Sequence, residues 1–161
     1  MLVKNGAVVE DPWISMDDNA TLPLDNPAII SVERWSRDRR SLMQRQAPLG
    51  LRLTSDAALG DIANALDSVD LIALEFPSFT DGRPYSTARL LRERYGFNGE
   101  LRATGQILRD QAQFLLRCGF DAFELLPNAN AADWLEGLSE IAVHYQPTAD
   151  TWSATAALRH R

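Results

Sequence analysis

Apolar residues along this chain fall into short runs separated by longer stretches of mixed character. Three runs, LIALEF at residues 71–76, ELRAT at 100–104 and AFELL at 122–126, have the length of buried strands and are far too short to cross a membrane. The stretches between them are long enough for helical returns. Residues 71–126 therefore predict β-α-β-α-β, and two further units precede them.

Pro23, Asn26 and Pro27 punctuate the entry to a strand at 28–32, which a helix at 34–45 follows with Trp35, Leu42 and Met43 on its apolar side. A strand at 49–54 ends in Ser55 and Asp56, suitable caps for a helix from about 57 that aligns Leu59, Ile62, Ala63 and Leu66. The helix running to about 95 turns Thr87, Ala88, Leu91 and Tyr95 inward and Arg89, Arg92 and Glu93 outward, with Gly96 as its stop. The next helix, 107–118, aligns Ile107, Leu108, Gln111, Phe114, Leu115 and Cys118 and stops at Gly119. A last helix, capped by Asn128 or Asn130, carries Trp134, Leu135, Leu138, Ile141, Ala142 and Tyr145 inward and ends at Pro147.

Extended runs at 6–9 and 13–15 predict an N-terminal arm or hairpin over residues 1–26, before a single α/β domain at 27–147 and a mobile tail at 148–161 in which Trp152 offers a local anchor. Five β/α units predict a mostly parallel sheet with right-handed crossovers. An open, doubly wound sheet is the first choice because five units are too few for an eight-fold barrel. The alternative is a partial, half-barrel sheet that protects its edges by forming a homodimer.

Composition narrows the class. A length of 161 residues with 45% hydrophobic and 24% charged residues suits one ordinary globular domain without a stabilising metal or disulfide. The N-terminus lacks a signal-like apolar core, which predicts a cytoplasmic protein without a membrane partner. A net charge of −6, with bases scattered among acids, argues against nucleic acid, and the basic run from Arg34 to Arg45 reads as a solvated helix face.

The only cysteine is Cys118, so neither an internal disulfide nor a four-cysteine cluster can form within the chain. His144 and His160 have no ligand-like neighbours at metal spacing. The sole lysine, Lys4, lies near an end expected to fray, which disfavours pyridoxal phosphate. No GxGxxG or Walker-type loop is present.

Residues 76–125 carry a more specific signal: Phe76, Phe79, Asp81-Gly82-Arg83, Tyr85-Ser86, Ala88-Arg89, Leu91-Arg92, Gly96, the run Gly99 to Ala103, Gly105, Asp110-Gln111 and Gly119-Phe120-Asp121. This pattern resembles DUF934, a bacterial family of unknown function whose members are often labelled probable oxidoreductases involved in sulfite reduction. Weaker similarity extends from about residue 28 to 145, leaving the first 26 residues and the tail uncovered. The family's label rests on genes lying beside that of the sulfite reductase haemoprotein and assigns no catalytic residues. The resemblance implies a cytoplasmic role in assimilatory sulfate or sulfite reduction with sulfite reductase as partner.

Ligands of parallel α/β sheets bind at the carboxyl ends of the strands, which directs attention to the residues there. Arg83, before a helix whose amides at Tyr85, Ser86 and Thr87 are unpaired, is a candidate for a small anion such as a sulfur oxyanion; so is Arg102 in ELRAT. The competing expectations are an Asp81–Arg83 pair holding the loop and an ion pair of Arg102 with Glu75 or Glu124. Those two glutamates could form a carboxylate pair for acid/base work, although neutralising an arginine is preferred for each. Tyr85 either donates to a ligand or caps the loop. Gln111 is expected to satisfy a buried backbone group, and Cys118 to be a buried structural thiol. Two functions follow: an accessory protein of sulfite reduction that binds an anion or sulfite reductase, or a small oxidoreductase or other enzyme with its site at the sheet's C-terminal edge.

Overall fold

The computed structural model describes residues 1–139. The predicted helix residues beyond 139, both histidines and the tail lie outside that range. A hairpin of β1 (Leu2–Lys4) and β2 (Ala7–Val9), turned by Asn5 and Gly6, opens the chain. After β3 (Ile14–Ser15) come β4 (Ala28–Ser31), α1 (Val32–Leu42), β5 (Leu49–Leu53), α2 (Leu59–Ile62) and β6 (Leu71–Phe76). The chain continues with α3 (Arg83–Glu93), β7 (Glu100–Gly105), α4 (Ala112–Arg117), β8 (Ala122–Glu124) and α5 (Ala131–Ser139).

One eight-stranded sheet results, in the order β2-β1-β8-β7-β6-β5-β4-β3. Strands β3 to β8 are parallel, and the hairpin joins antiparallel through β1 on β8. From β4 to β8 each strand lies beside its predecessor, always stepping the same way. Right-handed crossovers then place the helices on one face, so the sheet curls as a half-barrel. The doubly wound closure placed first requires a reversal of strand order, and none occurs; the half-barrel alternative is the observed one.

Chain length demands the curl. The N-terminal segment belongs to both edges of the sheet, β2 at one and β3 at the other. Seven inter-strand spacings of ~4.8 Å amount to about 34 Å across a flat sheet. The five residue steps from Val9 to Ile14 span at most about 18 Å. Residues 10–13 therefore act as a strap across the helix-free face, and the edges approach one another.

Alternation along the strands separates two environments. Ile30, Leu51, Ile72, Leu74, Leu101, Ala103 and Phe123 face the helices and join Trp35, Ile62, Leu91, Leu115 and Trp134 in the main core. The opposite, concave face carries Ile29, Leu71 and Ala73 beneath Trp13 of the strap. Small residues suit the crowded interior of the curl; a Cβ on Gly50 would lie 3.0 Å from a methyl of Leu71.

Several local expectations change. The helix expected from 57 shortens to α2 and a 3-10 turn at Leu66–Ser68; its N-cap is Ala58, without a side-chain cap, and Ala63 is exposed. The helix at 107–118 divides into a 3-10 turn (Arg109–Gln111) and α4, leaving Leu108 and Phe114 exposed, as is Met43 after α1. Gly96 and Gly119 take positive φ as expected of helix stops. Arg92, assigned outward, donates to the carbonyls of Phe97, Gly99 and Gly119 and to Asp121.

The basic run is not simply a solvated face. Arg34 is buried and donates to the carbonyls of Asp17 and Ala20, Arg37 to that of Asp18, and Arg45 to those of Pro23 and Asn26. These arginines fasten the second half of the N-terminal segment to α1 and to the turn that follows it. Their partners are backbone carbonyls, which residue type does not advertise.

At the C-terminal end of β7, Gly105 has φ +86°, and an added Cβ would overlap the carbonyl oxygen of Phe76. Gly105→Ala is expected to lower stability by about 2 kcal/mol or more. Urea unfolding followed by circular dichroism checks this as a lower midpoint at unchanged slope.

Candidate functional site

The concave face holds charge where a parallel sheet ordinarily buries aliphatic side chains. Arg102 is 1% exposed, and every nitrogen of its guanidinium has a partner. Nη1 and Nη2 donate to the two oxygens of Asp11 on the strap at 2.7 and 3.0 Å, and Nε donates to Glu100 at 2.8 Å. The second oxygen of Glu100 accepts from Lys4 Nζ at 2.6 Å. Strap, β7 and β1 are thus joined by two cations and two anions. Burial disfavours the charged guanidinium, but the bonds to Asp11 and Glu100 outweigh it and hold Arg102 above its ordinary pKa.

Nearer the C-terminal ends of the strands this compensation stops. Arg52 on β5 is half-buried and donates to Ser15 Oγ at 3.2 Å. Glu75 on β6 is half-buried and Glu124 on β8 exposed; neither carboxylate has a hydrogen bond or ion pair among the described residues. Thr104 stands between their strands, with its hydroxyl 3.4 Å from the Leu74 carbonyl. These four residues line a cavity of about 280 Å³ that is walled by Asp11 and Trp13 of the strap and by Ser15 of β3. Arg52 and Glu75 also border an adjoining cavity of about 630 Å³ toward Ser31, Thr54 and Asp56. The pair forms the partition between the two.

The sequence candidates divide accordingly. Glu75, Glu124 and Arg102 share the smaller cavity. Arg102 pairs with Asp11 and Glu100 rather than with either glutamate, and neither glutamate neutralises an arginine, correcting both expected pairings. Lys4 is likewise ion-paired in a strand instead of frayed.

Arg83, Ser86 and Tyr85 belong to the helix layer and line neither cavity. Asp81 accepts the backbone N–H of Arg83 at 3.0 Å and its guanidinium at 2.6 Å, so the loop's own carboxylate occupies the fork. The bond to Arg83 holds Asp81 well below the usual carboxylate range. Because its folded pKa is depressed, that tie is complete above the ordinary aspartate range and is lost only as pH falls through the lower folded value. Ser86 is exposed. The Tyr85 ring packs on Phe76 and Phe114 with centroids 5.1 and 4.7 Å away, and burial raises its pKa. Gln111 accepts from the Leu108 amide and donates to the Phe79 carbonyl, so it serves backbone groups that are exposed rather than buried. Cys118 is buried at 2% exposure.

Lys4, Asp11, Trp13, Ser15, Arg52, Glu100 and Thr104 are additions to the sequence candidates. A signal for Arg52 existed: LGLRL holds a single charge within an apolar strand, whereas ELRAT carries Glu100 as well as Arg102. Among the described residues no group of three or more potential ligands is placed to hold a metal, and no helix is long and apolar enough to cross a membrane.

A singly wound α/β half-barrel with a strapped, charged concave face and an open mouth is thus the class that fold and site define. The chain belongs to the family described as bacterial protein of unknown function (DUF934), whose profile matches residues 50–155. The match begins at β5 and extends into the segment read as an uncovered tail, while the hairpin, the strap, β3 and β4 precede it. No curated protein matches the chain.

Removing one member of a buried ion pair leaves the other uncompensated. Asp11→Asn is expected to destabilise the protein by about 1–3 kcal/mol. A cycle of Asp11→Asn, Arg102→Met and the double variant, measured by urea unfolding, should give a coupling of about 1 kcal/mol or more. Additive losses would dissolve the latch.

Proposed function

We propose that this protein is a non-catalytic accessory factor of assimilatory sulfate and sulfite reduction, acting in the cytoplasm with sulfite reductase as its partner. Its ligand site is the mouth of the half-barrel. The observation that carries the site is the unpaired state of Arg52, Glu75 and Glu124 around one cavity, beside an Arg102 whose charge is fully matched. Arg52 and Glu75, half-buried without a countercharge, lose solvation without full recompense, and a ligand of complementary charge supplies it.

The pathway assignment draws on family membership and on the label that resemblance attaches to the family. Against electron transfer through thiols, the only cysteine is buried in the helix-side core. A second reading keeps a specific footing: Glu75 and Glu124 near the carboxyl ends of parallel strands suit acid/base chemistry, the role of a small enzyme.

A clean deletion strain is expected to fail on sulfate or sulfite and to grow on sulfide or cysteine. Tagged full-length protein should retain sulfite reductase from extract. Normal growth on all four sulfur sources would remove the pathway assignment; turnover of sulfite by the purified protein with a reduced dye would replace the accessory reading with the enzymatic one.

A further inference from the structure

The mouth carries charges of both signs, and their arrangement narrows the ligand beyond a small polar molecule. Arg52 pairs across the sheet with Ala73, and Glu75 lies two residues farther along the same strand on the same face. Their Cα atoms are therefore about 8 Å apart. Both side chains enter the cavity, yet they form no ion pair with each other. One more strand, β7, separates β6 from β8, placing Glu124 about 10 Å beyond Glu75.

A simple oxyanion fits this poorly. It would satisfy Arg52 and face two unneutralised carboxylates in a confined space. A simple cation would satisfy Glu75 and leave Arg52 open. A molecule with a carboxylate and an ammonium on one carbon answers both at once.

We propose that the mouth binds an α-amino acid, with its carboxylate on Arg52 and its α-ammonium on Glu75. The inference rests on the reading of the mouth as a ligand site. The guanidinium fork matches a carboxylate bidentately, and the Ser15 hydroxyl already steers Nη1. Thr104 offers the α-ammonium a second oxygen beside Glu75. The amino-acid side chain runs along the cavity across β7 toward Glu124 on β8, away from Ile29 on β4.

Charge balance sets an order among amino acids. Lys4, Glu100, Arg102 and Asp11 cancel, and Arg52 with Glu75 is met by the zwitterion. Glu124 remains, so a side chain ending in a cation completes the balance. Basic amino acids bind best, neutral ones less well, and acidic ones worst.

Isothermal calorimetry on the full-length protein tests this with lysine, alanine, glutamate and sulfite. Two lysine analogues complete the set: cadaverine, which lacks the carboxylate, and 6-aminohexanoate, which lacks the α-ammonium. Lysine should bind tightest, and loss of either α-group should weaken binding about tenfold or more, the scale of one charge-assisted hydrogen bond. Arg52→Gln and Glu75→Gln should each cost a similar factor, with circular dichroism confirming that at least one variant is folded. Glutamate binding as tightly as lysine, sulfite binding in preference to all amino acids, or undiminished lysine affinity in a folded variant would overturn the proposal. Absence of amino-acid binding at millimolar concentration, with the deletion strain still unable to use sulfite, would overturn this inference and leave the sulfite-reduction role intact.

Discussion

A short length of chain governs this architecture. Five residue steps must connect opposite borders of an eight-stranded sheet, and they can do so only if the sheet bends toward the side they cross. The bend creates a concave face too narrow for a second helix layer. Small residues there, Gly50, Ala73 and Ala122, accompany side chains long enough to reach out of the crowd. The strap then supplies what a covering layer ordinarily would: an indole over the apolar patch and a carboxylate for the buried arginine.

Burying Arg102 is costly, and the surrounding groups are arranged to offset that cost. Asp11 takes both terminal nitrogens while Glu100 takes Nε, and Lys4 restores neutrality. The same arrangement is absent around Arg52, two strands away on the same face. Two arginines in similar strands thus do different work. One is an internal fastening with all its donors matched; the other is a half-exposed fork with most of its donors open.

The β/α rhythm of residues 49–126 was legible because LIALEF, ELRAT and AFELL have the composition and length of buried strands. The strap was not. Asp11 meets Arg102 across 91 positions of sequence, and nothing near Asp11 signals a partner so distant. Without that contact, Glu75 and Glu124 were the natural partners to assign Arg102, and the free carboxylates were misread as paired. Arg52 is the lone charge in its apolar strand, unlike Arg102, which shares its strand with Glu100, and attending to it would have located the mouth. At Arg83 the competing expectation is the observed one: unpaired helix amides suggested an external anion, and Asp81, two positions earlier, supplies it from within the loop.

The placement of the hairpin also dictates when the fold can be completed. Strand β1 pairs with β8, so residues 2–4 must wait for residues 122–124 before they gain a partner on that side. At ribosomal rates of roughly 5–20 residues per second, about 6–24 s separate their syntheses. During that interval β4 to β7 can assemble stepwise, each on its predecessor, while the hairpin stays undocked. Closure is consequently a late event between the two ends of the described chain, and the charged face stays open to water until the strap settles over it.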